Sequence, residues 1–281
     1  MESSEYAFHA AALGLGGVIE RGRTTTVIPS LGSVVLPSCG GEGSAEVRNY
    51  DRDGISFSTL QTRVGGYRVA RHLFSTYSDI LITNLNILDR VRVGLMQLTL
   101  TSLRQTDIDQ PESRFEVRAS YRGVHIDDEE VIPQIDVEMC SFETYAQFLR
   151  AAQEQPDRIA KKLEQSAEAV AELTRSRVPV VRGSIVSDIA KQKAASKLVH
   201  NKNKVVVPGL GRVQFGELLL KHDQRRVNLL RIDLGRFSPM SEGVTTFAAP
   251  VLEDPSASTG GTLVMAAGEG NGTPVWPSPG P

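Results

Sequence analysis

The sequence predicts a β-dominated α+β fold: two related antiparallel β units, sandwich- or barrel-like, with a helical insertion in the second unit. Three observations predict this fold. Short apolar runs separated by glycine and proline occupy much of the chain, as is typical of strands joined by turns. One ten-residue phrase occurs twice. Between its two copies lies a stretch whose apolar residues recur every three or four positions, which indicates helices.

The repeated phrase runs from Val27 to Leu36 and again from Val206 to Phe215. Five of its ten positions are identical in the two copies. Proline fixes φ and interrupts a sheet ladder, while a glycine shortly after it supplies a positive φ. Each copy is therefore predicted to form a strand, a tight turn and a strand. Because self-similarity constrains a whole architecture, the simplest account is an internal duplication of one β unit.

The first β unit is assigned to residues 1–106. Ile55 to Leu60 alternates apolar and polar residues, which is the pattern of a half-buried strand. Two longer runs, Asp79 to Leu88 and Val91 to Leu103, are predicted to pair as a hairpin. Asp89-Arg90 supplies the turn between them.

The second β unit is assigned to residues 113–252, with the helical insertion at about 141–203. Strand-like sequence returns from Val227 to Leu234 and from Val244 to Leu252. Residues 253–281 are rich in serine, glycine and proline and are predicted to be a flexible tail.

Three helices are predicted within the insertion. Ser141 caps the first helix, and Pro156-Asp157 opens the second. Their apolar stripes are Phe142, Tyr145, Phe148, Leu149 and Ala152, then Ile159, Leu163, Ala167, Val170 and Leu173. Pro179 ends the second helix, and a third, basic helix runs from Ser187 or Asp188 through Lys197.

Composition and charge narrow the function classes. The net charge of −2 does not indicate a global attraction to nucleic acid. Cys39 and Cys140 are the only cysteines, which excludes a four-cysteine zinc site and a disulfide framework and leaves two reduced thiols or a single bridge. The acidic start, Met-Glu-Ser-Ser-Glu-Tyr, lacks the basic region of a signal peptide, so the expected location is the cytoplasm, with leaderless export left open.

Candidates for chemistry are few and scattered. Gly209 to Gly216 resembles a phosphate-binding loop, but the residues after its glycines are strand-like, so we interpret it as a turn. His125 lies near Asp127, and Cys140 precedes the first predicted helix. Asp136 and Glu138 share one strand face. None of these completes a reaction centre, so we predict no catalytic residue, no cofactor-binding residue and no metal ligand.

The segment from Arg175 to Lys204 carries eight lysines and arginines against one acid, Asp188. We predict that Lys191, Lys193 and Lys197 present this charge to an anionic partner. The alternative is pairing with the acid-rich segment from Asp107 to Glu138, within one chain or between subunits. The apolar residues predicted to join the contact are Ile159, Leu163 and Val170.

Four segments resemble the bacterial choice-of-anchor P type of β-rich domain. They are Ala7 to Leu13, Val35-Leu36-Pro37, Asn84 to Leu88 and Val206 to Leu220. The resemblance covers about 150 residues and implies a β architecture; such domains are generally secreted or wall-associated and have no assigned chemistry. This chain departs from them in its start and in its helical insertion.

These observations favour a non-enzymatic structural or protein-interaction protein that uses the helical insertion as its contact element and associates with itself or with a protein partner. The first alternative is a small-molecule or glycan-binding module, with the ligand held between the β units. Its candidate aromatic residues are Tyr67, Phe74, Tyr77, Phe115 and Tyr121. The second alternative is an enzyme with a site near His125, Asp127 and Cys140.

Overall fold

The computed structural model describes residues 5–21, 24–106, 112–163, 165–175, 180–191, 198–235 and 259–275, which form sixteen strands and four helices. The strands are β1 Glu5–Arg21, β2 Thr24–Leu31, β3 Val34–Val35, β4 Gly41–Arg52, β5 Ile55–Ala70, β6 Leu73–Ile87, β7 Val91–Gln105, β8 Ser113–Ile126, β9 Glu129–Ile135, β10 Val181–Ser184, β11 Val186–Lys191, β12 Val199–Asn201, β13 Lys204–Val207, β14 Gly211–Leu220, β15 Arg225–Leu234 and β16 Thr259–Val275. The helices are α1 Val137–Ser141, α2 Tyr145–Glu154, α3 Pro156–Leu163 and α4 Ala167–Arg175.

The strands form two antiparallel sheets. The first sheet has the order β12-β13-β14-β15-β16-β1-β2, with β10 also paired to β14 and β3 also paired to β1. The second sheet has the order β11-β9-β8-β7-β6-β5-β4. Buried residues of both sheets and of all four helices form one hydrophobic core. The predicted β-dominated α+β fold is confirmed, and strands from residues 1–106 and from residues 113–252 occur together in both sheets and in this core.

Strand β16 corrects the predicted flexible tail at 253–281. Within that segment, Thr259–Val275 is a central strand between β1 and β15. Leu263 and Met265 are fully buried. A Cβ on Gly268 would lie 3.0 Å from Leu98 Cδ2 and 3.6 Å from Ser78 Cβ, so glycine lets the two sheets approach closely here. The absence of a side chain at Gly268 is therefore a packing requirement, and residues 253–258 and 276–281 of the predicted tail lie outside the described residues.

The predicted hairpin is confirmed as β6 and β7, whose ladder closes at Ile87 and Val91. The predicted strand Val227 to Leu234 lies within β15. The predicted strand Val244 to Leu252 lies outside the described residues.

The two copies of the repeated phrase have different local structures. The second copy is the predicted hairpin, in which β13 pairs with β14 and Val207 lies opposite Gly211. In the first copy, β2 and β3 both pair with β1 in the same direction, so they are one edge strand interrupted at Gly32. The predicted strand, turn and strand are present in the first copy, but its turn at Gly32 does not reverse the chain, so the two strands do not pair with each other. Gly32 has a φ of 60°, and a Cβ there would collide with Leu60, which requires glycine.

A line of irregular residues crosses the second sheet and bends every strand from β4 to β8. We call this line the crease; its members are Asn49, Ser58, Asn84, Gly94 and Gly123, which face one another between the paired positions of neighbouring strands. In every second strand (β4, β6 and β8) the crease residue has a positive φ, which is 52° at Asn49, 54° at Asn84 and 60° at Gly123.

The crease reverses which side chains face the core. In β6 the buried positions are Ile80 and Ile82 before the crease, but Leu85 and Ile87 after it. Because side chains alternate strictly along a regular strand, this change of parity requires an irregular residue between the two pairs. Asn84 is that residue, and asparagine tolerates the left-handed region better than most residues do.

The helical insertion is shorter than predicted. Its helices lie between Val137 and Arg175, and the chain then returns to strands. The predicted basic helix is wrong from Ser187 to Lys191, because Val186–Lys191 is strand β11, paired with β9, and its remaining part through Lys197 lies outside the described residues. Val186 and Ile189 are buried in the core, and this burial within a sheet outweighs the helical tendency of the lysine-rich sequence beyond them.

Candidate functional site

The predicted apolar contact residues of the insertion belong to the core. Ile159 and Val170 are fully buried, and Leu163 is only 6% exposed. A Cβ on Gly183 of β10 would lie 3.0 Å from Leu163 Cδ2, which shows how closely α3 packs on that strand. These three residues therefore stabilise the fold and are not free to contact a partner, which corrects their predicted role.

The three lysines predicted to bind an anion are not brought together by the described structure. Lys191 is the last residue of β11, so it is not on a helix. Lys193 and Lys197 lie outside the described residues. An anionic partner for the segment from Arg175 to Lys204 stays a prediction.

Asp136 and Glu138 are neutralised by helix α3. Lys162 Nζ lies 2.6 Å from Asp136 Oδ2 and 3.1 Å from Glu138 Oε2, and Arg158 lies 2.7 Å from Glu138. Asp136 also caps α1 by accepting a hydrogen bond from the Met139 amide at 3.1 Å. Burial lowers the pKa of Lys162, but the hydrogen bonds to the two carboxylates outweigh it and leave that pKa raised. The acid pair thus anchors α1 and α3.

Arg90 joins three turns at one end of the sandwich. It forms a bidentate ion pair with Asp127 in the turn between β8 and β9, in which Arg90 Nη2 lies 2.6 Å from Asp127 Oδ2. The same Nη2 donates to the carbonyl of Pro208, in the turn between β13 and β14, at 2.9 Å. The hydrogen bond to Asp127 raises the pKa of Arg90. Arg90 therefore ties the second sheet to the first.

The three residues of the alternative enzyme site have separate structural roles. Asp127 is held by Arg90, and His125 Nδ1 lies 3.3 Å from the carbonyl of Gly123. Burial, with a further contribution from Asp136, raises the pKa of Cys140 to about 11, so its thiolate is disfavoured at neutral pH. Among the described residues no group of three or more histidine, cysteine and acidic side chains is arranged to hold a metal ion.

The aromatic residues of the alternative glycan site do not line one cleft. Phe74 and Phe115 are buried, and the Tyr121 hydroxyl donates to the Leu229 carbonyl at 2.8 Å across the core. The Tyr77 ring covers Gly65, since a Cβ there would lie 2.1 Å from Tyr77 Cε1. Tyr67 alone of the five is largely exposed. The described structure does not bring these five rings together, and a ligand held between the β units stays a prediction.

A polar depression lies on the outer face of the second sheet, beside the crease. Its volume is about 380 Å³, and it is open to solvent. The lining residues are Asn84, Leu85, Asn86, Arg92, Val93, Gly94, Gly123 and His125. Of the polar lining residues, His125 alone is a candidate for chemistry in the sequence, because the others come together only when β6, β7 and β8 are in register.

The four sheet edges differ in how they resist pairing with another strand. Edge β4 carries five charged residues and the positive-φ residue Asn49. Edges β11 and β12 are short, with six and three residues. Edge β2 continues into β3, and the sequence has no charged residue from Thr24 to Cys39.

Edge β2, together with β3, also exposes apolar side chains. Val27 is 69% exposed and Val35 is 63% exposed. Thr24 to Ile28 are all β-branched residues, which favour strands. Uncharged, exposed edges of this kind are the ones that pair with other chains. Pro29 is the single residue of β2 that interrupts such pairing.

One protein-family model, described as "Domain of unknown function (DUF8256)", matches residues 6–221. This segment contains most of β1 and all of β2 through β14, and it ends before β15 and β16. No curated protein and no solved structure matches the chain. In the described part of the chain, no helix has the length and apolar character needed to cross a membrane.

Proposed function

Because the chain belongs to the DUF8256 family, whose description names no activity, we propose a function from the geometry: a non-enzymatic assembly protein that pairs with a second copy of itself through strand β2. The observation that carries this proposal is the uncharged, β-branched edge of the first sheet, with Val27 69% exposed.

A second copy suits this edge because the segment is compatible with itself. In an antiparallel pair of Thr24 to Ile28 with the same residues of the partner, every position meets another uncharged residue. No register therefore brings like charges together, and threonine and valine pair well across strands. Two-fold symmetry closes such a contact as a dimer, with the unpaired backbone groups of each strand satisfied by the other.

The contacts of the candidate reactive groups support a non-enzymatic role. The Cys140 thiol is buried, Asp127 is bound by Arg90, and Asp136 is bound by Lys162. Each group is buried or held in an ion pair within the fold, so it is not available to react with a substrate.

The other predictions stand beside this proposal. A bacterial origin, a cytoplasmic location, the resemblance to choice-of-anchor P domains and a protein partner of another kind stay predictions.

The test compares two matched substitutions on opposite edges of the first sheet. Val27→Lys places a charge on β2, and Val199→Lys places the same charge on β12, where Val199 is 56% exposed. We expect the wild type to form a dimer in sedimentation-velocity experiments. V27K should shift the equilibrium to monomer by at least tenfold, because an inserted lysine must be desolvated in the paired edge. V199K should remain dimeric.

Two results would contradict the proposal. One is a wild type that stays monomeric at every concentration up to its solubility limit. The other is equal weakening by V27K and V199K, which would indicate a general charge effect. Circular dichroism checks that both variants are folded, as expected for substitutions at exposed positions.

A further inference from the structure

We infer that the polar depression on the outer face of the second sheet is a binding site for an uncharged saccharide. The depression lies on the sheet opposite to β2, so this inference is independent of the proposed self-association.

The crease creates the space for a ligand. Gly94 and Gly123 face each other in adjacent strands and carry no side chains, so the sheet backbone is exposed between them. A Cβ on Gly123 would meet only Gly94, with contacts of 3.6 and 3.7 Å, so nothing else fills this position. The volume of about 380 Å³ falls within the range of small-molecule sites.

The side chains that line the depression offer hydrogen-bond donors and acceptors but no net charge. The side-chain amide of Asn84 donates and accepts, the side-chain nitrogen of Asn86 donates, and the neutral imidazole of His125 has one donor and one acceptor nitrogen. The charge of Arg92 is compensated by its ion pair with Asp128. Hydroxyl groups also donate and accept, so a saccharide can match this wall, whereas an anion finds its cation already paired.

One polar atom in the wall lacks a partner. The side-chain nitrogen of Asn86 donates to Asp89 at 2.7 Å, but its buried carbonyl oxygen has no hydrogen-bond partner among the described residues. An unsatisfied buried acceptor costs free energy, and because this oxygen is shielded from solvent, the Asn86 side chain must turn before a hydroxyl donor can satisfy it.

The site is held in place before any ligand arrives. Asn84 donates from its side-chain nitrogen to Ser58 Oγ at 3.1 Å, and both residues belong to the crease. The lining residues belong to three neighbouring strands whose registers are fixed on both sides of the crease. Little conformational entropy is therefore lost on binding. Because the lining has no phenylalanine, tyrosine or tryptophan, discrimination depends on hydrogen bonds to the hydroxyl groups.

The experiment titrates the full chain with methyl glycosides of glucose, galactose, mannose and N-acetylglucosamine and follows backbone amide shifts by NMR. We expect at least one of them to shift the amides of Gly94 and Gly123 in a saturable way. Gly123→Asn fills the depression while keeping a residue that tolerates positive φ, and Asn84→Gly removes one amide from the wall without straining the backbone.

Both variants should bind the same glycoside at least tenfold more weakly. Gln97→Ala, at an exposed position of β7 outside the depression, should bind as the wild type does. The inference is overturned if no glycoside shifts these amides or if G123N and N84G bind normally. Stronger binding of inorganic phosphate at the same amides would also overturn it. If G123N fails to fold, N84G alone decides the result.

Discussion

Ala266 is a fully buried residue in the left-handed region, with a φ of 50°, and its replacement by glycine measures the free-energy cost of the bend in the first sheet. Ala266 lies in β16 between Gly14 of β1 and Leu229 of β15, at a break in both ladders that resembles the crease of the second sheet. Ala267, the next residue, is also buried but has no positive φ.

The expected effect follows from three contributions. Holding a residue with a Cβ in the left-handed region costs about 1–2 kcal/mol, which Ala266→Gly recovers. The same substitution loses about 0.8 kcal/mol from the buried methyl group. It also loses about 0.4–1 kcal/mol because glycine gives the unfolded chain more freedom. A266G should therefore change the free energy of unfolding by no more than about 0.5–1 kcal/mol in either direction.

Ala267→Gly is the matched control. It loses the buried methyl group and gives the unfolded chain more freedom, but it relieves no left-handed conformation. A267G should lower the free energy of unfolding by about 1–2 kcal/mol. Urea denaturation followed by circular dichroism measures both variants, and an unchanged slope m shows that the extent of unfolding is the same. The reasoning is refuted if A266G costs as much as A267G, because the left-handed conformation would then carry no penalty.

Three further predictions concern buried or paired side chains. Burial raises the pKa of Cys140 to about 11 from 9.0, so at pH 8 Ellman's reagent should modify the exposed Cys39 quickly and Cys140 only after denaturation. The unfolded state releases this proton first as the pH rises, so the wild type should lose about 2–3 kcal/mol between pH 9 and 11 that Cys140→Ala does not lose. Lys162→Met should cost about 2–3 kcal/mol in urea denaturation, because it leaves the buried carboxylate of Asp136 without its cation. Arg90→Lys keeps the charge but loses the two-pronged contact, and it should cost about 1–2 kcal/mol by the same measurement.

Each of these predictions has a control. Rapid modification of both cysteines in the native protein would contradict the burial of Cys140. Lys161→Met alters an exposed lysine beside Lys162 and should be nearly neutral, so equal costs at the two positions would exclude the ion pair as the cause. For Arg90, hydrogen exchange should accelerate at the Leu210 amide, in the turn after Pro208, and an unchanged rate would show that this turn does not depend on Arg90.

The local parts of the fold could be predicted from the sequence. The β6–β7 hairpin combines two long apolar runs with a short polar turn, and both signals are local. The crease also has a signal in the sequence, because Ile80 and Ile82 occupy even-numbered positions whereas Leu85 and Ile87 occupy odd-numbered positions. A strand whose apolar alternation changes parity at an asparagine or a glycine indicates such a bend.

The remaining parts depend on which strands become neighbours. Gly268 of β16 packs against Ser78 and Leu98, which are distant in sequence, so its glycine-rich composition cannot be distinguished locally from that of a flexible segment. The polar depression depends in the same way on the register of three strands. The absence of charge from Thr24 to Cys39 was visible, but its meaning depends on β2 lying at an edge, which only the topology shows.

The bends connect the two proposed surfaces. In β4 the left-handed residue Asn49 reverses which side chains face outward, so another strand could pair along the whole of this edge only if it broke its own register at the same point. In the first sheet the corresponding edge is interrupted at Gly32, beyond Thr24 to Ile28, so these five residues keep a regular ladder. Where the crease crosses β7 and β8 its residues are Gly94 and Gly123, so no side chain covers the sheet there. The crease therefore hinders pairing along edge β4 and forms the depression, whereas Thr24 to Ile28 of edge β2 stay open to pairing.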